Sequence, residues 1–325
     1  MPSTLPPELA QAAERYLTCE FVTIDAAGRP IVWPVTPYYR ADVGCIDVTT
    51  GVGYPKKADD AARNPRVALL FSDPTGSGLE PAPTVLVQGI ARVDDSDPAA
   101  NAERYEREMA AKLPALHALA PSGPLKRLFS WYYERIYLHI RPERVYVWPT
   151  GDTDTEPTLY DAHVEEVRAG HNQEPEDGHA PPEGGLDVWD PRLDSLGRED
   201  ATAVLAFVGP DGFPFAVRVP VRADQAGHVV HIGADPVGAP IEPGPACLCA
   251  HSHADDLTWQ RSFQVRGDLA EQDGEFVLHP HRVVAGLQLP SSSFERYRVN
   301  VRKILRFRKT ARERQGTGGG VGAAG

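Results

Sequence analysis

Cysteine is scarce in this chain and long apolar runs are missing, and each lack removes a class of protein. The four cysteines, Cys19, Cys45, Cys247 and Cys249, are too few and too scattered for a disulfide framework. A reducing, cytoplasmic setting fits that usage. No stretch approaches the ~20 apolar residues of a membrane span, so no membrane partner is expected. The opening MPSTLPPELAQAAERYL has no basic segment followed by an apolar one, so no export signal is read there. Positive charge is in the minority, with 33 Lys and Arg against 45 Asp and Glu and a net charge of −12. A dedicated nucleic-acid partner is therefore not expected, because neutralising phosphates needs a basic face. Nor does any nucleophile–base pairing stand out. The 325 residues suffice for two domains with a sizeable buried core.

Against these absences stands one dense stretch, Thr49–Asp73, TTGVGYPKKADDAARNPRVALLFSD. A strand end turns at Gly51, Gly53 and Pro55 into Lys56 and Lys57, which open a short helical run. That run closes at Asn64-Pro65 and leads into a second strand. Two lysines at a helix mouth, beside the hydroxyls of Thr49 and Thr50, suit a phosphate, because the helix N-terminus adds partial positive charge. Such a pair also reads as the solvated start of a surface helix.

The surrounding motifs come in a definite order. A strand turns at Gly28–Pro30, and the return strand carries Pro34–Pro37 (PVTP). IDVTTG, the PKKA turn, NPRVALLF and VLVQGIARV follow. Over about Glu20 to Trp148 this resembles the flavin-binding split-barrel family of the pyridoxamine 5′-phosphate oxidase type, which includes deazaflavin-dependent reductases. The resemblance implies an α+β, mainly β fold. It also implies a flavin phosphate gripped at Lys56 and Lys57, with Val35, Thr36 and the strand at Thr84 lining the ring. In the family the basic turn reads Ser-Arg-Lys-Ala; here it is Pro55-Lys56-Lys57-Ala58, without the serine. The ring-lining strand of the form Arg-x-Val-Leu-Leu-Lys corresponds to Trp33–Tyr38, which has neither the Arg nor the Lys. That departure argues against pyridoxamine-phosphate oxidase activity itself and suits the reductase branch. Trp33 and Tyr38 are the candidates for the substrate pocket.

Along the rest of the first 150 residues, Pro6–Leu17 has helical spacing. CEFVTID and PIVWPVTPYY form a hairpin through Gly28, and the prolines of the second place it at an edge or bulge. RVALLF reads as a strand buried on both faces, and Gly89 marks a bulge in TVLVQGIARVDD. Pro98–Leu119 reads as a helix broken near Pro114. A second helical piece brings Phe129, Trp131, Tyr132 and Tyr133, which cap the barrel, fill an interface, or wall a pocket. ERIYLHIR then closes the barrel. Residues 151–199, acidic and rich in Pro and Gly, read as an extended linker, in part disordered, with a helical turn or two in TLYDAHVEEVRAG.

Beyond Asp200 the pattern returns in the same order, which means a duplicated domain. AFVGPDGFPFAVRVPV echoes the first hairpin, GHVVHIGA echoes GCIDVTTG, GPACLCAHSH echoes NPRVALLFSD, and FQVRGDLAEQD echoes VLVQGIARVDD. ERYRVNVR (Glu295–Arg302) is matched to ERIYLHIR. The second copy, residues 200–310, has DPVGAPIEPGP where the first has its lysines, so the cradle occurs once. The expectation is two split barrels in tandem, pairing as a pseudo-dimer within one chain or between two chains. Residues 311–325 form a Gly-rich tail. Cys247, Cys249, His251 and His253 share one strand face, but neighbours two apart lie ~6.5–7 Å apart, so one tetrahedral metal centre is out of reach of all four. Aligned on Val67 and Leu69, the two cysteines fall at core positions, and no metal is assigned.

Three readings result. The first is an oxidoreductase using FMN, or the deazaflavin coenzyme F-420, on a small-molecule substrate, with the chemistry carried by the cofactor. The second is a cofactor-binding or sensing protein that kept the barrel and lost catalysis. The third, haem binding on the same fold, rests on the scattered histidines alone.

Overall fold

The structure is a computed structural model and describes residues 5–120, 130–161, 186, 188–233, 238–239, 241–286 and 310, with backbone only at 130 and 131. Among the described residues no helix is long and apolar enough to cross a membrane. ERYRVNVR, the Gly-rich tail, Phe129, the side chain of Trp131, AHVEEVRAG and part of DPVGAPIEPGP lie outside the described residues.

The first unit opens with helix α1 (Pro7–Arg15), then strands β1 (Cys19–Ile24), β2 (Pro30–Val35), β3 (Tyr38–Arg40) and β4 (Cys45–Gly51). Helix α2 (Lys56–Arg63) follows, then β5 (Arg66–Phe71) and β6 (Thr84–Asp94). Helices α3 (Pro98–Lys112), α4 (Pro114–Ala118) and α5 (Ser130–Tyr133) precede β7 (Arg135–Trp148) and β8 (Thr158–Asp161). The strands run in the order β2-β1-β5-β6-β7-β4-β3, with β8 added outside β7. Since β2 and β3 are neighbours in sequence, the sheet curls until its two edges meet at one break, Thr36-Pro37. Proline has no N–H to give a ladder, and this is where the barrel splits.

The second unit has β9 (Thr202–Val208), β10 (Pro214–Asp224), β11 (Val229–Ile232), β12 (Gly244–His253), β13 (Gln260–Gln272) and β14 (Glu275–Ala285). These close into a barrel, β10-β11-β14-β13-β12-β9. It is the same path, except that β10 runs unbroken where β2 and β3 part. The fold is thus a tandem pair of split barrels, mainly β with a few helices, as the repeat predicts.

The registers show how closely the copies match. The β1–β2 and β9–β10 hairpins both turn on a glycine at positive φ, +74° at Gly28 and +77° at Gly212. Both long hairpins slip register at a glycine, between Gln88 and Gly89 in one and Arg266 and Gly267 in the other. A Cβ at Gly89 would lie 2.5 Å from the Arg141 carbonyl oxygen, and one at Gly267 2.1 Å from that of His279. Only glycine lets the bulged strand approach so closely.

Two sequence assignments are corrected by these pairings. The counterpart of β7 is β14, so Arg141-Pro142-Glu143-Arg144-Val145 matches His279-Pro280-His281-Arg282-Val283, each proline lying opposite the bulge glycine. Glu295–Arg302, which the sequence pattern matches to ERIYLHIR, lies outside the described residues. In addition, Leu70 pairs with Glu20 as Cys249 pairs with Val204. Cys247 and Cys249 therefore stand at the positions of Ala68 and Leu70, one residue along from the sequence alignment. A one-residue shift moves every side chain to the other face. The cysteines face out of their barrel, toward the first unit.

RVALLF is buried on both faces, and both faces are named. Val67, Leu69 and Phe71 join Phe21, Ile46, Val48, Val85 and Val87 inside the first barrel. Ala68 and Leu70 join Val22, Val32 and Leu86 in a second cluster with Ala206, Ala216, Cys247 and Cys249 of the other unit. The two units therefore pack within one chain. Two buried amides tie the junction: Gln88 donates to the Pro214 carbonyl and Gln264 to the Val32 carbonyl, each at 3.0 Å.

The 151–199 stretch is structured at both ends. β8 is strand rather than helix, because TLYD pairs with Arg144–Val147 of β7. Trp189, Leu193 and Leu196 are buried in the second unit's core, with Pro191–Ser195 a 3-10 turn. That unit thus starts by Trp189.

Candidate functional site

The two copies differ most at one end of the first barrel. There stand the broken strand, helix α2 and the inserted helices α3 to α5; in the second copy β13 returns directly to β14 through Asp273-Gly274. Lys57 projects from the first turn of α2. Its ammonium lies 5.8 Å from the centre of the Tyr54 ring. Among the described residues it has no carboxylate partner. Burial, with the positive charge of Arg135 added, pulls its pKa down to about 8.

Arg135, at the start of β7, is buried. Its guanidinium is sandwiched between the rings of Tyr105 at 3.9 Å and Tyr132 at 4.3 Å. It donates to the Tyr54 hydroxyl at 2.8 Å, and its Nε has no hydrogen-bond partner. Tyr38, packed edge-on against Tyr105 at 6.5 Å, has a buried hydroxyl that is likewise unpartnered. Burial raises its pKa, partly opposed by Arg135. A buried guanidinium, a half-buried ammonium and an unpartnered hydroxyl thus come together among tyrosines. Buried charges and polar groups are ordinarily paired.

The sequence-predicted residues do not all gather there. Lys57 and Tyr38 do, both within electrostatic reach of Arg135. Lys56 turns away; half-exposed, it pairs with Asp60 one helical turn on, at 2.9 Å. Thr50 is buried and donates to the Tyr54 carbonyl at 2.9 Å, which shapes the turn carrying Lys57. Thr49 stands on the other face of β4, opposite Tyr137. Val35 is a core residue, and Thr36 stands at the strand break. Thr84 donates to the Gly151 carbonyl at 3.3 Å, at the Trp148 end of β6. Trp33 faces the second unit, where a Cβ on Gly286 would come within 3.1 Å of its ring.

Arg135, Tyr54 and Tyr105 were missed in the sequence. One signal was available: RIYLHI alternates, with Ile136, Leu138 and Ile140 inside the barrel and Arg135, Tyr137 and His139 outside. A polar outer face on a central strand needs a cover, and α3 supplies it. Arg104 bonds Asp47, Tyr137 donates to Glu108 at 2.6 Å, and Asp47 lies 2.7 Å from His139. Lys112, at the end of α3, donates to the carbonyls of Pro37 at 2.6 Å and Ala13 at 2.8 Å, which satisfies backbone at the split.

The histidines belong elsewhere. No group of three His, Cys, Asp or Glu among the described residues is placed to hold a metal ion. His251 Nε2 lies 2.5 Å from Glu20 Oε1 across the junction of the units, and His253 Nε2 lies 3.1 Å from the Thr18 hydroxyl. Asp73 sits 3.5 Å from His253 and 3.8 Å from His251. Burial raises its carboxyl pKa, but the Thr75 hydrogen bonds and the two histidines outweigh that and hold it below its ordinary value.

No family model matches the sequence, and no curated protein does. Solved structures match in part. General stress protein 26 from Bacillus anthracis str. Sterne is 15% identical over 47% of this chain and 95% of its own, with a TM-score of 0.31. A Clostridium acetobutylicum protein related to general stress protein 26, of the pyridoxinephosphate oxidase family, is 10% identical over 47% and 92%, with a TM-score of 0.33. An F420 reductase is 18% identical over 43% and 98%, with a TM-score of 0.32. Each of these three matches covers less than half of this chain.

Proposed function

We propose that this protein is an oxidoreductase that holds a flavin-type cofactor, FMN or the deazaflavin F-420, in its first unit and acts on a small molecule. The observation that carries the reading is Lys57, a half-buried lysine beside a second cation with no counter-ion among the described residues. An ammonium in that position is stabilised when an anion arrives, and phosphate supplies the charge. Arg135 adds long-range attraction and a buried Nε without a partner. Tyr54, held by the Arg135 bond and by the Thr50 bond to its carbonyl, keeps the lysine in place. When bound, the cofactor ring would supply hydride or electron transfer; this chain supplies charge, shape and exclusion of water.

Titration of the purified protein with FMN and with F-420, followed by cofactor fluorescence, tests the assignment. One cofactor bound per chain is expected, because the cradle occurs once. Failure of both to bind would refute the reading, and two per chain would mean that the second unit keeps a site.

A further inference from the structure

At the middle of the junction the two copies meet through matched positions that carry unmatched residues. The registers place Glu20 opposite Pro34 in the first unit and Val204 opposite Arg218 in the second. Glu20 is therefore the counterpart of Val204, and Pro34 that of Arg218. Glu20 pairs with Leu70 as Val204 pairs with Cys249, so Ser72, two residues on, is the counterpart of His251. In each pair one copy is charged or ionisable and the other is not.

These residues also touch one another across the junction. Glu20 is fully buried. Its Oε1 lies 2.5 Å from His251 Nε2 and accepts from the Arg218 guanidinium at 3.2 Å, and its Oε2 accepts from the Ser72 hydroxyl at 3.0 Å. Arg218 Nε donates to the same hydroxyl at 3.0 Å. The carboxylate comes from one unit, and the guanidinium and imidazole come from the other. Burial raises the pKa of the Tyr16 hydroxyl and of the Cys19 and Cys249 thiols, and the Glu20 charge reaches each of them and raises it further. Asp73 and His253 stand beside the group, 3.5 Å apart, and Asp200 is held separately by Arg261 at 2.9 Å.

We infer that this cluster makes the two pairing faces recognise each other and reject copies of themselves, so that each chain closes on its own second half. If two first units met, two buried carboxylates would face Pro34 and Ser72 without a cation. If two second units met, two guanidinium groups would face Val204. Leaving either charge buried and unpaired is strongly destabilising, and a clash of that kind is how one partner is selected over another. The apolar surround of Val22, Val32, Ala206 and Ala216 carries no such preference.

Charge exchange between full-length chains tests this. In Glu20→Arg two cations meet inside one chain, and in Arg218→Glu two carboxylates do. Mixed, the introduced guanidinium of one chain faces the introduced carboxylate of the other, and the remaining units reconstitute the native pair. Residues 162–185 lie between the units, and a chain of that length extends on the order of 80 Å, enough to cross over. Co-expression is expected to yield a heterodimer of twice the 35.4 kDa chain mass, seen by native mass spectrometry. Wild-type chains with different tags are expected not to co-purify. Any other co-expression product, insoluble chain included, overturns the inference. A second variant, Glu20→Leu with Arg218→Leu, removes both charges, so that no arrangement of the units leaves one of them buried and unpaired. It is expected to fold and to let differently tagged copies mix, and copies that stay unmixed count against the inference equally.

Discussion

Replacing Lys57 with methionine keeps the length of the side chain and removes its charge. A charge-assisted contact to phosphate contributes roughly 1.5–3 kcal/mol, so FMN should bind roughly 10- to 150-fold more weakly. The same change at Lys56 removes an exposed pair with Asp60, a contribution of about 0–1 kcal/mol, so affinity should fall less than about fivefold. The two lysines are adjacent in sequence, and the gap between the two variants is what the geometry dictates. The pH dependence provides an independent check. In the free protein Lys57 is charged below about 8. Anion binding needs the ammonium, so affinity should decline by up to about tenfold per pH unit above that value, and Lys57→Met should abolish the decline. Stability runs the other way. The unfolded chain keeps this proton up to the ordinary 10.5, while the folded chain loses it near 8. Across that window the unfolded state binds more protons, so folding stability rises with pH. The penalty for the buried charge is fully present below about 8, so Lys57→Met should leave the cofactor-free protein as stable as wild type or more so at pH 7. Isothermal titration from pH 6 to 10, paired with urea unfolding, measures both. A variant that binds FMN as tightly as wild type, with the same pH profile, would refute the placement of the phosphate.

Three further outcomes follow from the geometry. Gly89→Ala and Gly267→Ala should each lower stability by about 2 kcal/mol or more, because each Cβ would press on backbone rather than on a movable side chain; urea midpoints with unchanged slopes would show it. Tyr38→Phe removes an orphaned buried hydroxyl, which should stabilise the cofactor-free protein by about 1 kcal/mol; a loss of stability would mean that the hydroxyl has a partner in solution. Leu193→Ala should cost about 2–4 kcal/mol, and an effect under about 0.5 kcal/mol would return that segment to a linker.

Much of the fold was legible because duplication supplied a second reading of each element. The glycine turns, the Gly89 bulge and the helix broken at Pro114 are local signals, set by backbone sterics within a few residues. Register is not local. GPACLCAHSH slides by one residue against NPRVALLF with little loss of pattern, because a strand apolar on both faces has no alternation to lock it. Only pairing of Cys249 with Val204 and Gln264 decides which face the cysteines occupy. That β14 is the counterpart of β7 was hidden for a related reason: charge-and-apolar alternation is common in sequence, whereas the proline facing a bulge glycine is not. At the site, Lys57 was legible from its place at a helix mouth, but Lys56 looked identical. Arg135 is 78 positions further along, and its role depends on tyrosines from β3, α3 and α5 that no spacing rule connects.

The comparison of the two copies bears on function more than the cradle does alone. A buried feature kept in both units serves the barrel: the bulge glycines, the hairpin glycines and the prolines facing the bulges recur, and each has a steric reason. A feature found once cannot be required by that architecture, since the other barrel closes without it. The strand break at Thr36-Pro37, the lysine turn and the α3–α5 insertion are such features, and all three bear on Arg135 and Tyr38. Lys112 makes the dependence explicit, because the insertion supplies the ammonium that satisfies the Pro37 carbonyl freed by the break. A barrel that opens its wall, places a half-buried and a buried cation beside it and adds helices to hold them has given up stability at one place. In the function proposed above, the bound phosphate offsets that loss. The charged junction has the same logic in a different role: its residues are also unmatched between copies, but they satisfy one another, and what they set is partner choice rather than ligand binding.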